Sequence, residues 1–366
     1  MEKEVEEVYP PSMQKVFVGL SGGVDSGVSA ALLKEQGYEV TGCFIKIWQP
    51  EFIECSWRED RLDAMRVAAS LGVPFCEIDL SDEYKKEVVD GMVADYARGI
   101  TPNPDVLCNT SIKFGHFLRW ALAEGADYIA TGHYARVHHN DIVSRYELLR
   151  GKDGNKDQSY FLWQLGQEEL SRTIFPVGEL TKHEVRALAK RFGLPNSDKP
   201  DSQGLCFVGD VSMEEFLARF IPLKPGPVEG VSGKRIGEHQ GAALYTIGQR
   251  HGFSVGGNAS VRSHYVVSAD TKGNTVVVSE NRADCERKEA YLTDIHWISH
   301  APTLPFACVI QARYREAPIA ARVQKENGGI SVRTAEPHIF SPGQSLVLFQ
   351  GDTCFGGGVI SVANMR

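Results

Sequence analysis

The chain has 366 residues, enough for two or three domains with ample core. With 42% hydrophobic and 23% charged residues it has the composition of an ordinary soluble globular protein, and no stretch approaches the roughly 18 uninterrupted apolar residues of a membrane span. A net charge of −8 argues mildly against a nucleic-acid partner, although a basic face can coexist with acidic surroundings.

The N-terminal "MEKEVEEVYPPSMQK" is acidic and carries two prolines, so it reads as neither a signal peptide nor a transit peptide. Residues 1–14 are expected to form a disordered leader, and the compartment is expected to be cytoplasmic. Short apolar runs follow at 15–20, 39–47, 74–79 and 127–131 and read as strands. Helical spacing fills the gaps over 27–36, 60–71, 83–98 and 112–124, with closing glycines at Gly37, Gly72, Gly99 and Gly125. This alternation predicts a doubly wound parallel sheet, an α/β domain whose ligands sit beyond the strand C-termini. "TKHE" at 181–184 and "SMEE" at 212–215 are capping-box starts for two more helices.

A Pro/Gly-rich joint, "IPLKPGPVEGVSGKR", changes the character of the chain. Beyond it "HYVVSADTKGNTVVVSE", "ARVQKENGGISVRT" and "SLVLFQGDTCFGGGVISVA" are apolar alternations around Gly, Asn or Asp, the pattern of strands and tight turns. The expected organisation is an α/β catalytic domain over 15–210, a small linker module over 211–285 and a β-barrel over 286–366.

Eight cysteines fall at 43, 55, 76, 108, 206, 285, 308 and 354, and none forms a C-x-x-C pair. Zinc ribbons and closely spaced iron–sulfur ligands are therefore not expected, and most of these thiols read as small buried hydrophobes.

The stretch "GLSGGVDS", residues 19–26, follows the first strand and opens onto a helix. Gly22 and Gly23 let backbone N–H groups converge on an anion at the helix N-terminus. The familiar phosphate loop G-x-x-x-x-G-K-[ST] needs a Lys, and here Val24-Asp25 stands in its place. Ser-Gly-Gly-Val-Asp-Ser after a first strand resembles the pyrophosphate loop of the ATP pyrophosphatases, which cleave ATP to AMP and pyrophosphate. On that resemblance the loop amides with Ser21 and Ser26 hold the pyrophosphate, and Asp25 helps bind Mg²⁺.

Four further stretches narrow the substrate: "TPNPDVLCN" (101–109), "ATGHYARV" (130–137), "GKDGNKDQSYFL" (151–162) and "DSQGLCFVGD" (201–210). With the loop they closely resemble the tRNA-uridine 2-sulfurtransferases, or tRNA 2-thiouridylases. The fold implied is an adenine nucleotide alpha hydrolase-like ATP pyrophosphatase domain. The implied reaction adenylates O2 of the wobble uridine U34 and replaces it by sulfur, using ATP and Mg²⁺. Gly19, Leu20, Ser21, Gly22, Gly23, Val24, Asp25, Ser26, Ile45 and Gly132 are the implied nucleotide contacts. Asn103, Pro104, Asp105, His133, Lys156, Asp157, Gln158, Arg313, Tyr314 and Gln344 are the implied tRNA contacts. The implied partners are tRNA of the Lys, Glu and Gln isoacceptors and an upstream sulfur donor, with no membrane, and the chain is expected to be a monomer.

The residues also have readings of their own. Two prolines stiffen "NPDVLCN" into a loop that presents Asp105 and Cys108, where a carboxylate raises the thiol pKa or handles its proton. The bland alternative is a structural thiol. In "GLCF", Cys206 is either a mobile sulfur carrier or a thiol buried beside Phe207. Only the resemblance pairs the two: Cys206 carries a persulfide, and Cys108 releases its sulfur to leave a Cys108–Cys206 disulfide. A labile iron–sulfur cluster on both cysteines and Asp105 is the rival reading. "KDQSYFL" mixes a cation, an amide and aromatics suited to phosphate contact and base stacking, or is a helix start with Asp157 as cap. Arg313, Tyr314 and Arg315 read as alternating residues on a strand, by themselves a solvated face, and only the resemblance makes them tRNA contacts. Two other classes remain open: an amidating ATP pyrophosphatase, and an RNA-binding protein with a relic loop.

Overall fold

The computed structural model describes residues 13–52, 57–201, 211–256, 263–326 and 329–362. Residues 1–12 of the expected leader over 1–14, Cys55, and the "SQGLCFVGD" stretch with Cys206 lie outside the described residues.

A parallel sheet is built from β1 (Lys15–Gly19), β2 (Glu39–Lys46), β3 (Phe75–Asp79), β4 (Tyr128–Ala130) and a later strand, and these four fall on the apolar runs read from sequence. A hairpin, β5 (Ala135–Asn140) and β6 (Arg145–Arg150), intervenes before the last member, β7 (Thr173–Ile174). The order is β3-β2-β1-β4-β7, so the connections reverse direction between β1 and β4. Val16, Val18, Ile129 and Ala130 are fully buried, as expected of strands covered on both faces. The helix Val24–Glu35 starts three residues before the apolar periodicity does, because Gly23 takes the N-cap position and Asp25 falls in the first turn.

The largest departure from the sequence reading lies at 104–123. Continuous helical segments run Pro104–Leu107, Cys108–Phe117 and Leu118–Ala123, so Asp105 and Cys108 stand on a helix and not in a stiffened loop. The reason is local. Asn103 caps the end by accepting a bond from the Val106 N–H at 3.4 Å, Pro104 fills the first helical position, and Asp105 complements the dipole. The middle segment, Cys108–Phe117, is wound in wider π-type turns.

The remaining strands form two more sheets. β8 (Gly226–Gly230), β9 (Arg235–His239), β10 (Phe253–Val255), β11 (Tyr265–Asp270) and β12 (Thr275–Ser279) run in the order β10-β9-β8-β12-β11. Then β13 (Arg287–Trp297), β14 (Phe306–Gln311), β15 (Ile319–Glu326), β16 (Gly329–His338), β17 (Ser345–Gln350) and β18 (Thr353–Ile360) close into an antiparallel barrel through the β13–β18 pairing. The hairpin β5–β6 joins that barrel through Leu149↔Thr353 and Leu148↔Cys354, so the first domain contributes two strands to the sheet of the last. Nothing in the local pattern of 135–150 announces this pairing. Trp163 Nε1 and Tyr160 Oη, both buried, fix the same junction by donating to the side chain and backbone oxygens of Ser345 at 3.0 Å. Among the described residues no helix is long and apolar enough to cross a membrane.

Candidate active site

The loop at 19–26 lies at the C-terminal end of β1, at the edge of the gap between β1 and β4 where ligands of open α/β sheets collect. Gly22 has φ +78°, and a Cβ there would also collide with the backbone of Asp60, so only glycine fits. The loop holds its own shape: Ser26 Oγ accepts from the Ser21 N–H at 3.2 Å and donates to the Gly23 carbonyl at 3.1 Å. Gly23 offers no side-chain cap, so the first helical amides, at the positive end of the dipole, receive no acceptor from the cap residue. Leu20 and Val24 are buried anchors, and Ile45 packs beside Gly19 from β2. Gly132 acts from the opposite wall. A Cβ on it would sit 2.7 Å from the Ser26 nitrogen, so its absence lets the end of β4 lie against the helix start.

Asp25 does not stand open in the loop. Its carboxylate accepts from Lys182 Nζ at 2.7 and 2.9 Å and from Tyr134 Oη at 2.9 Å. Asp201 gathers Lys182 at 2.8 Å, Lys156 at 2.5 Å and Arg186 at 2.7 Å. Burial by itself would raise the Asp201 carboxyl, but Lys156 and Lys182 more than offset it and hold it far below the usual carboxylate range. Burial and the neighbouring Asp25 charge keep the Tyr134 phenol protonated. Sequence reasoning missed Tyr134, Lys182 and Asp201 as loop partners, since no short-range pattern joins residues 157 positions apart.

Of the residues expected to meet RNA, Asn103, Pro104 and Asp105 form the start of the 104–123 helix, and Gln344 binds the residues just before it. Asp105 and Cys108 are one turn apart, on the same side. Asp105 keeps exposed surface, yet the protein around it pushes its carboxyl up, against the pull of Lys113. Lys113 Nζ lies 3.5 Å from His133 Nε2, whose other nitrogen is 2.7 Å from Thr131 Oγ1. Burial, reinforced by Lys113, drives the His133 imidazole well below its ordinary value, so it is a neutral group packed against Phe114 and Phe175. Gln344 Nε2 donates to the Thr101 and Pro102 carbonyls at 2.8 and 3.1 Å, tying the barrel to the residues before Asn103. Asn109 Nδ2 donates to the Phe161 carbonyl at 3.2 Å, and the Tyr314 ring lies 4.4 Å from that of Phe161. A cleft of about 390 Å³ opens alongside, with Asn103, Val106 and Leu107 on one wall and Asp294, Ser345 and Val359 on the other.

Three expectations change here. Arg313, Tyr314 and Arg315 are not on a strand: β14 ends at Gln311 and they form the turn that follows, with Arg315 at φ +61°. Arg313 donates to the Ile247 carbonyl at 2.9 Å and to Ser341 Oγ at 2.8 Å, which makes it a brace between the middle module and the barrel. Asp157 turns inward, where one oxygen accepts the Gly151 and Ser159 N–H groups and the other pairs with Arg150 at 2.9 Å. It is no simple helix cap. Lys156 and Gln158 flank it, the first on Asp201 and the second bonded to the backbone of Tyr134.

Two thiols that sequence did not pair are close together. Cys43 and Cys76 are register neighbours on β2 and β3 with sulfurs 2.7 Å apart, and contact with Cys76 together with burial pushes the Cys43 thiol up.

Comparison with known proteins bears on the whole chain. Residues 14–210 match a family described as a tRNA methyl transferase HUP domain, 214–280 its PRC-barrel domain, and 287–360 an aminomethyltransferase beta-barrel domain. A tRNA-specific 2-thiouridylase of Nitrosomonas eutropha is 46% identical over 357 residues, covering 95% of this chain and 98% of that protein. The corresponding protein of Ralstonia pickettii is 45% identical over 361 residues, covering 96% and 97%. The domain descriptions speak of methyl transfer, but the relatives that align from end to end are named for thiolation, and they decide the matter. The U34-tRNA thiolase NcsA from Methanococcus maripaludis aligns with 57% of this chain and 67% of its own at 21% identity, with a TM-score of 0.35, too slight a likeness to carry an argument.

Proposed function

The chain belongs to the tRNA-specific 2-thiouridylase family, and on that premise we propose that it makes 2-thiouridine at the wobble position U34 in two stages. In the first, O2 of the uridine attacks the α-phosphorus of ATP and pyrophosphate leaves, so that a poor leaving oxygen becomes AMP. In the second, sulfur carried on Cys206 attacks C2, AMP departs, and Cys108 closes a disulfide with Cys206 as the sulfane sulfur is reduced. The observation that carries this reading is the loop. An uncapped helix start with Asp25 in its first turn, set at the reversal of the sheet, is suited to a polyphosphate.

Asp25 is the one carboxylate of the loop, and among the described residues no group of three His, Cys, Asp or Glu is placed to hold a metal. That suits magnesium, which is commonly held by one or two carboxylates together with substrate phosphates. When bound there it would neutralise charge on the departing pyrophosphate. Asp105, with its raised carboxyl one turn from Cys108, is placed to handle the thiol proton. The Lys113 ammonium acts on it by charge and lies beside the neutral His133. The tRNA lies across the mouth formed by 101–109, 156–164 and the 313–314 turn, which brings U34 to Cys108. The Lys, Glu and Gln isoacceptors are the expected substrates, with an upstream persulfide donor loading Cys206.

The test separates the two sulfurs. Cys206→Ser should take no radiolabelled sulfur from a desulfurase, whereas Cys108→Ser should take it and fail to complete transfer. Adenylation of tRNA should survive in both. Label on Cys108 in the Cys206→Ser variant would reverse the roles, and full thiolation by either variant would remove the mechanism.

A further inference from the structure

A loop that binds polyphosphate without a lysine leaves the leaving group short of a mobile positive charge. The loop's own sequence offers none between Gly19 and Ser26. The fold supplies one from elsewhere. Lys182 is the first residue of the helix Lys182–Arg191, held in place by the Thr181–Glu184 capping box and by donation of its backbone N–H to Asp153 Oδ2 at 2.9 Å. Its side chain is 16% exposed and ends on both oxygens of Asp25, the acid that occupies the expected lysine position.

We infer that Lys182 is the phosphate-binding cation of this loop, contacting the β- and γ-phosphates of a nucleoside triphosphate and the pyrophosphate released from it. The inference rests on the nucleotide reading of the loop given above. Three observations carry it. The ammonium lies at the helix start where the polyphosphate would bind. Its partners, Asp25 and Asp201, are carboxylates, so an arriving phosphate offers it the same class of charge-assisted bond that it already makes. Asp201 also holds Lys156 and Arg186, so it stays compensated when Lys182 turns toward a ligand. Lysine suits this task as a compact point charge on a flexible stem, able to follow the pyrophosphate from bound triphosphate to leaving group. The competing explanation is a plain latch, an ion pair that pins the helix to the loop.

Differential ligand binding separates the two. Binding of ATP, inorganic pyrophosphate and AMP to full-length protein is measured calorimetrically in magnesium buffer, for wild type, Lys182→Met and Lys182→Arg. Lys182→Met should weaken ATP and pyrophosphate by about 10- to 100-fold, the worth of one hydrogen bond to a charged group. It should leave AMP, which lacks both outer phosphates, close to wild type. Lys182→Arg should recover a large part of the loss. Equal weakening of all three ligands, or of none, would overturn the inference and leave the latch. If Lys182→Met does not fold, Lys182→Gln, which keeps a donor but no charge, takes its place with the same outcomes. A wild-type protein that binds neither ATP nor pyrophosphate would instead overturn the nucleotide reading, and the role of Lys182 with it.

Discussion

The two halves of the site are built on different principles. The proposed nucleotide loop takes its shape from bonds between residues five and three positions apart, while its one carboxylate, Asp25, draws in Tyr134 and Lys182 from 109 and 157 positions away. The side proposed to meet sulfur and RNA is assembled at long range, by Asn109 with Phe161 across 52 positions, Arg313 with Ile247 across 66 and Gln344 with Thr101 across 243. The loop's shape survives as long as one strand–helix joint is intact. A composite site depends on every domain being docked, and substitutions far from the chemistry should disturb it.

The largest effect is expected at Asp157, whose inward carboxylate joins Arg150 to two backbone amides. Asp157→Ala should cost about 3–5 kcal/mol, the usual loss on breaking a buried pair, read by chemical denaturation. Unchanged stability with weakened tRNA binding would mean that the carboxylate serves the RNA directly. Next comes Gly132→Ala, which drives a methyl into the loop backbone. It should lower ATP–pyrophosphate exchange by about 10²-fold, as misplacement of a reacting group by an ångström does, with tRNA affinity unaltered. A parallel fall in tRNA affinity would show that the halves are not separable.

Much of the loop side could be read from sequence because strand alternation, Gly22, Gly23 and the Ser–Asp–Ser spacing are short-range signals. Even there the apolar spacing starts the helix three residues late, because Gly23 takes the N-cap. At 103–108 the prolines read as loop stiffeners, although Asn-Pro-Asp also spells N-cap, first position and acidic first turn. The β5–β6 hairpin, the Lys182–Asp25 pair and the turn at 313–315 had no comparable signal, since each is settled by a partner from another part of the chain. For Asp157 the sequence offers a helix cap and the resemblance a tRNA contact, and only the fold shows Arg150 behind it.

Two smaller effects sharpen the contrast. His133 is neutral when folded, whereas the unfolded chain takes up its proton near the ordinary value of 6.5. Stability tied to His133 is therefore complete above that value and lost as pH falls below it, by up to about 1.4 kcal/mol per pH unit. Denaturation between pH 5 and pH 7 on the order of that slope should be shallower for His133→Gln than for wild type. Equal slopes would place the proton elsewhere. The smallest effect is Gln344→Ala, which frees two carbonyls ahead of Asn103. A loss of about 1 kcal/mol in tRNA affinity, with exchange untouched, is expected from two neutral bonds at a partly exposed site.

The central claim is that this loop drives thiolation of tRNA with ATP, and it is tested most directly by mass spectrometry of nucleosides from tRNA incubated with protein, ATP, magnesium and a persulfide donor. Wild type should convert uridine to 2-thiouridine with matching release of AMP and pyrophosphate, and Asp25→Ala should stop both while still binding tRNA. Thiolation that proceeds without ATP, or that persists in Asp25→Ala, would contradict the account.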